Sequence, residues 1–390
     1  MYHPHMASRK EQERHERWLL ELTSLPTAAG CEQRVRQWIN GWIHARRAHL
    51  KLDEDRHGNM LIRTRRSSKK PMILFTAHLD HPAFVVRRVI DDSHVELEFR
   101  GGVRNPYFID AKIHLFDQDD ARINATITET DFEAKPFKRF VARTSRSTRT
   151  LQPEDVGRWA LASTRIRSGK LHAHACDDLA AVAAALAAYE RLYKRPECRN
   201  VGLFFTVAEE IGLLGAIGAA RTRSVPKSAR LICLENSRSF QESPIGGGPI
   251  LRVGDAMTCF SPDLTNRIGA VMKKHAAKNP DYAWQRKLMP GGQCEATAFA
   301  AYGYQSTCLC LPLGNYHNMA DLAGVEAGAK RASAGHEIIS VSDFHGLVTM
   351  LEVCGRQLDS LPPDGLKRSL DKLWNQRKRY ATPDGADARR

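Results

Sequence analysis

Apolar positions recur along this chain in three textures, and the order of those textures predicts its architecture. Residues 10–22 and 31–46 carry apolar side chains at helical spacing, Trp18, Leu19 and Leu22 and then Val35, Trp38, Ile39 and Trp42. The turn-rich LTSLPTAAG separates the two. After the turn DRHGN at 55–59 comes MILFTA at 72–77, a short, solidly apolar run of the kind that fits a strand buried on both faces. From about 83 to 164 short alternating stretches take over (HVELEF, AKIHLF, ARINATIT), broken by Gly, Asn, Asp and Pro, and predict β structure without βα repeats.

Helix and strand then alternate again. Residues 178–193 form an Ala-rich helical stretch, NVGLFFTV (200–207) a buried strand, 211–220 a helix and ARLICL (229–234) a further strand. Helices around 264–277 and 294–302 lead to the strand STCLCL (306–311), followed by a helix at 343–360 and a basic, partly helical tail from 365. Strand–helix alternation on both sides of a β-rich stretch predicts an α/β fold: a mixed, mostly parallel sheet flanked by helices, as a catalytic domain (1–82 and 165–390) interrupted by a smaller β-rich insert domain (83–164). No internal repeat is visible.

Several acidic and imidazole residues occupy one kind of position in this pattern. His78 and Asp80 follow MILFTA, Glu209 and Glu210 follow NVGLFFTV, Glu235 ends ARLICL, His317 lies just past STCLCL, and Asp177 directly precedes a helix. In open α/β sheets, groups beyond the carboxyl ends of strands converge on one crevice. Taken singly each motif is weak: an HxD pair is common on surfaces, a Glu-Glu often starts a solvated helix, and Asp177–Asp178 could be an N-cap with its acidic first turn. The conjunction is informative, because burying so many carboxylates together without cations is very costly.

The donor set suits two divalent metal ions. Zinc takes His nitrogen and carboxylate oxygen, cobalt and manganese accept the same donors, and a carboxylate can bridge a pair. Asp177 is the candidate bridge, with His78 and Glu235 on one ion and Glu210 and His317 on the other. Three ligand carboxylates against two divalent ions leave a formal +1, which favours a developing oxyanion and so suits hydrolysis. Glu209 is the candidate proton carrier. Asp80 is placed to accept the second N–H of the His78 imidazole, and Asp178 could support Asp177 in a similar way. His57, His81, His172, His174, His336 and His345 find no partner in the sequence and read as structural or solvated.

Composition narrows the setting. No apolar run approaches the ~20 residues of a membrane span, the first residues carry no signal-like apolar stretch, and nine scattered cysteines lack a disulfide framework. A cytoplasmic protein with no membrane partner is the expectation. Cys308 and Cys310 share one face of a strand and read as small core residues. The net charge of +14 is spread widely, without a nucleic-acid-binding signature, so a solvated basic surface is favoured over a nucleic-acid partner.

These motifs resemble the co-catalytic zinc peptidases, most closely the glutamyl-aminopeptidase-like family that includes the tetrahedral (TET) aminopeptidases. LTSLPTAAGCEQRVRQWI and DRHGN resemble its N-terminal helix pair and glycine-asparagine turn, and TAHLDHPAFVV its first metal motif. HACDDLAAVAAAL resembles its bridging-aspartate motif, FTVAEEIGLLGA its Glu-Glu motif, LPLGNYHN its last histidine segment and EIISVSDFHGLVTML its closing helix. The resemblance implies a dinuclear metallo-exopeptidase acting on peptides, with the assignments above and Glu209 as base. It also implies a homo-oligomer assembled through the insert.

The chain departs from that family at Glu235, where Asp is usual, at Leu179, where Arg is common, and in HLDHPAF and GGQCEATAF. In the wider clan, Glu at the position of Glu235 accompanies carboxypeptidases and acyl-amino-acid deacylases, which makes those activities the alternative. A non-catalytic scaffold binding an anionic partner is the third reading, and the absence of any lost ligand argues against it.

Overall fold

A computed structural model of the chain describes residues 8–66, 68–361 and 365–381. Its centre is an eight-stranded mixed sheet in the order Leu50–Glu54, Met60–Thr64, Val201–Thr206, Ile73–His78, Arg230–Arg238, Gln305–Leu313, Ile250–Arg252 and Gln285–Lys287. The four strands from Val201–Thr206 to Gln305–Leu313 run parallel. Ile73–His78 and Val201–Thr206 are buried along their whole length, which is why each reads as a continuous apolar run. Because these neighbours are parallel and in register, Thr206 opposite His78, their carboxyl ends open on the same side.

Helices cover both faces of the sheet. On one, the Ala-rich Leu179–Leu192 is buried from Leu179 through Tyr189 and lies between the sheet and the helices Arg9–Leu22 and Val341–Gln357. Its alanines have no side chain beyond Cβ, so backbone and strands approach closely on every side; a helix apolar all round belongs inside. On the other face Leu214–Thr222 and Glu295–Ala301 pack over Leu74, Phe204 and Leu231.

Six strands between Ala83 and Trp159 close into an antiparallel barrel. Phe84 fills its centre, with the rings of Phe99, Phe108, Phe140 and Trp159 at 4.9–5.9 Å and edge-on. Closure leaves no unpaired edge, which alternating strands of this length otherwise expose. A third, three-stranded sheet joins Arg165–Arg167, Lys170–Ala173 and Glu337–Ser340; the alternation of His172 and His174 ahead of Asp177 reads as a strand in the sequence, but its two partner strands do not.

One expected element begins later than its pattern predicts. The helix expected from 211 starts at Leu214. Residues 207–213 instead form a tight loop in which Ala208 and Leu213 take left-handed backbone angles and the N–H groups of Leu214 and Gly215 return to the carbonyls of Ala208 and Val207. Glu209 and Glu210 sit in that loop and not at a solvated helix start. No described helix is long and apolar enough to cross a membrane.

Candidate metal centre

The loop carrying Glu209 and Glu210 is held from three sides. In DRHGN, Asp55 Oδ1 accepts the N–H groups of His57 and Asn59, and Gly58 takes the left-handed angle that the turn requires. Asn59 then bridges outward, accepting from Val207 N at 3.2 Å and donating to the Gly215 carbonyl at 3.0 Å. The buried carboxylate of Glu32 accepts the Ala208 N–H at 3.0 Å. Asp80 uses one oxygen for each neighbour, accepting from Glu209 N and Glu210 N at 3.0 Å apiece. Both glutamates are therefore fixed to the end of the strand that carries His78.

The two imidazoles are oriented by carbonyls. His78 Nδ1 lies 3.1 Å from the Asp80 carbonyl and 3.5 Å from its carboxylate Oδ1, and His317 Nδ1 lies 2.7 Å from the Gly102 carbonyl. A carbonyl only accepts, so each Nδ1 carries the proton and each Nε2 is turned toward the carboxylates. His78 Nε2 stands 3.4 Å from Asp177 Oδ1 and 3.8 Å from Glu235 Oε1. His317 Nε2 stands 3.6 Å from Asp177 Oδ2 and 3.4 Å from Glu210 Oε2. Glu209 Oε2 is 4.0 Å from His78 Nε2.

All seven residues singled out in the sequence thus meet beyond the strand ends. Potential ligand atoms of His78, Asp177, Asp178 and Glu235 lie within 4.8 Å of one another, as do those of Asp177, Glu210 and His317. Asp177 belongs to both of these groups and offers a different oxygen to each histidine, and His78, Glu209 and Glu210 form a third group of the same kind.

Electrostatics make the cluster costly without cations. Burial works against ionisation of Asp177, but the close approach of His317 and His78 prevails and holds its carboxyl well below the usual range. Burial, added to by the charge of Asp177, pushes Glu235 well up; burial, reinforced by Glu210, Asp80 and Asp177, does the same to Glu209. Asp177 Oδ1 and Glu210 Oε1 are buried with no hydrogen-bond partner among the described residues. An orphaned buried carboxylate oxygen is expensive, and a divalent cation of the oxygen- and nitrogen-loving class satisfies it. The residues present fit such ions.

Four supports were not legible as such. Glu337, fully buried, accepts Asp177 N with one oxygen at 2.9 Å and His317 N with the other at 2.8 Å. His81 approaches the Asp177 carbonyl through Nδ1 and Asn318 Oδ1, at 3.1 Å, through Nε2. Asn236 donates to Asp178 Oδ1 and to the Cys176 carbonyl, both at 2.8 Å, so Asp178 is tied to Asn236 and faces the His78 N–H at 3.4 Å. Asp178 makes no side-chain cap bond to its helix. Glu32 is the fourth. His336 and His345 also find partners, the Ala162 carbonyl and Glu16, both at 2.8 Å and away from the cluster. His174 is buried beside His336, and burial keeps it neutral, at about 2.

The cluster forms the floor of a cavity of about 850 Å³ walled partly by the barrel, through Gly102–Pro106 and Lys138. Arg252 also lines it. Its side chain is 3% exposed, Nε has no partner, and Nη1 reaches only the weak acceptor Cys308 Sγ, at 3.8 Å. Lys138 donates to the Val103 carbonyl at 2.7 Å. Among the described residues neither cation has a carboxylate in ion-pair contact, whereas Arg104 is paired with Glu326 at 3.0 Å.

A buried carboxylate and imidazole cluster at the carboxyl ends of a parallel sheet core is the donor set of a metal-dependent hydrolase and is compatible with a dinuclear site. The family model for M42 glutamyl aminopeptidases matches residues 58–330, and the chain belongs to that family, whose members are metallo-aminopeptidases. The fold is similar to the aminopeptidase APDkam598 of the archaeon Desulfurococcus kamchatkensis, at 17% identity over 89% of this chain and 95% of that one, with a TM-score of 0.71. It is similar to the TET1 peptidase of Pyrococcus horikoshii, which assembles into a tetrahedron or a large octahedral shell, at 19% identity, 88% and 99% coverage and a TM-score of 0.70. A dodecameric PhTET1 structure matches at 20% identity, 90% and 100% coverage and a TM-score of 0.68.

Proposed function

We propose that this metallo-aminopeptidase holds one divalent ion on His78, Asp177 and Glu235 and a second on Asp177, Glu210 and His317, with Glu209 as the proton carrier. The observation that carries this reading is the position of Asp177, one oxygen toward each of two imidazoles whose Nδ1 atoms are already committed to carbonyls. Zinc suits the mixed donor set, and cobalt or manganese would also be accepted. When bound, such a pair supplies Lewis-acid polarisation of the scissile carbonyl and acidifies a water. Glu209 would take a proton from the attacking water and return it to the departing amine. Asp80 keeps Glu209 and Glu210 at fixed distance from His78 throughout, through the two backbone bonds it accepts.

Arg252 and Lys138 give the cavity unpaired positive charge, which favours peptides with an acidic residue at the cleaved end. Residues 83–164 serve as an insert domain between the two parts of the catalytic domain, 1–82 and 165–390. The assemblies of the TET1 peptidases support a homo-oligomer. Nine unpaired cysteines support a cytoplasmic setting.

Glu235 favours a second reading, a carboxypeptidase or an acyl-amino-acid deacylase. One experiment separates the two. Metal-loaded protein is incubated with a single peptide in free-amine and N-acetylated forms, with and without chelator, and products are read by mass. Stepwise, chelator-sensitive loss of N-terminal residues from the free-amine form alone is expected. Loss of acetyl groups or of C-terminal residues would overturn the aminopeptidase reading.

A further inference from the structure

The helix Gly365–Arg377 has no buried residue, and every position from 365 to 381 is exposed. Yet it is patterned. Leu366, Leu370, Leu373 and Trp374, at i, i+4, i+7 and i+8, line one face at 63%, 56%, 44% and 55% exposure. Elsewhere on the described surface large exposed apolar side chains are mostly scattered singly, and such residues need no explanation. Lys367, Arg368, Lys372 and Arg377 occupy the same helix, Lys378 and Arg379 follow it, and the only acid in the stretch, Asp371, is paired with Lys367 at 2.7 Å.

We propose that this helix docks the protein on an anionic lipid surface, lying in the plane of the headgroups with its three leucines and Trp374 in the acyl boundary. The composition is that of an interfacial helix: polar for most of its circumference, with a segregated Leu/Trp face and with Lys/Arg in place of acids. Tryptophan favours the headgroup level. Charge selects this occupant over others. The same helix of a second copy would bring six cations against six, with one acid on each side, so a homo-oligomer has reason to form elsewhere on the surface. A nucleic acid would use the cations and leave four large apolar side chains in water. The expectation of no membrane partner rests on the lack of a spanning run, which has no bearing on a helix lying on the surface.

The test is flotation of the full-length protein with vesicles of phosphatidylcholine alone and of equimolar phosphatidylcholine and phosphatidylglycerol. Binding is expected to the anionic vesicles only, to weaken steeply as salt rises, and to fall by roughly tenfold or more in Leu370→Glu, which puts a charge in the apolar face. Peptidase activity should be unchanged in that variant, since residue 370 touches nothing in the metal cluster. Hydrogen exchange at 366–377 should slow on anionic vesicles. No association with anionic vesicles, or association that Leu370→Glu leaves intact, would overturn the proposal. So would protection of 366–377 that depends on protein concentration without lipid, which would mark a second copy as the occupant.

Discussion

The carboxylate of Glu337 accepts the backbone N–H of Asp177 at 2.9 Å, and its other oxygen accepts that of His317 at 2.8 Å. One side chain therefore sets the separation of a shared carboxylate and an imidazole that are far apart in sequence. Burial pushes Glu337 well up, with Asp177 adding to it, while the two N–H groups oppose the shift. Removing it with Glu337→Ala should weaken metal affinity by about 10–100-fold, measured by competition with a chromophoric chelator. Glu337→Gln, which keeps one acceptor oxygen, should lose less. Equal affinity in all three proteins would mean that Asp177 and His317 are placed by other contacts.

Glu209 is positioned near His78 Nε2 without sharing the closer approach of Glu235 and Asp177. Glu209→Gln should lower kcat by about 10²–10⁴ with little change in metal content, read by steady-state kinetics alongside elemental analysis. A variant that loses its metal together with its activity would make Glu209 a ligand and not the proton carrier.

Arg252 is a nearly buried cation without a carboxylate partner, so an apolar side chain of similar length costs the fold little and often stabilises it. Arg252→Met should therefore keep or raise Tm while lowering kcat/KM on peptides with N-terminal Glu by about tenfold or more, the loss of a charge-assisted contact. Peptides with N-terminal Leu should be cleaved as before. A uniform loss on both, with a lower Tm, would assign Arg252 to structure instead.

A pH dependence of stability follows from Glu190, which joins three elements. Burial opposes its ionisation, but hydrogen bonds from His15, Arg46 and Arg14 outweigh that and hold its carboxyl at about 2. Burial also lowers His15, so that contact is a neutral hydrogen bond and the charge pairing falls to the arginines. A folded-state value below the unfolded one adds stability that is fully present above about pH 5 and disappears as pH falls toward 2. Glu190→Gln should be less stable than wild type by about 1–3 kcal/mol at pH 7, with the gap closing between those two limits in urea titrations. A gap that is constant with pH would show that packing, not ionisation, sets the cost.

Much of this was legible where one physical signal dominated. Ile73–His78 and Val201–Thr206 could be read because strands buried on both faces must be apolar throughout, and the candidate ligands His78, Glu210 and Glu235 because they close or follow such runs, while Asp177 stood before a helix and His317 six residues past STCLCL. The loop at 207–213 misled because Leu213 and Leu214 mimic a helical face while Ala208 and Leu213 bend the chain the other way. Glu337 escaped notice because nothing local marks it: it sits in a short strand paired with Lys170–Ala173, and its bonds go to backbone N–H groups 160 and 20 residues away. His81 lay within the first metal motif, so its position was a signal, but its partners Asp177 and Asn318 are distant in sequence. Arg252 showed only as a basic residue, since the lack of a partner is a property of the folded cavity.

Metal stoichiometry in wild type and Asp177→Asn, by elemental analysis after zinc loading and removal of free ion, shows whether Asp177 bridges two ions. Wild type should retain two ions per chain, and Asp177→Asn, which weakens the one carboxylate common to both groups, should lose both together and fall below one. A wild type saturating at one ion, or an Asp177→Asn variant that still holds two, would contradict a centre bridged by Asp177.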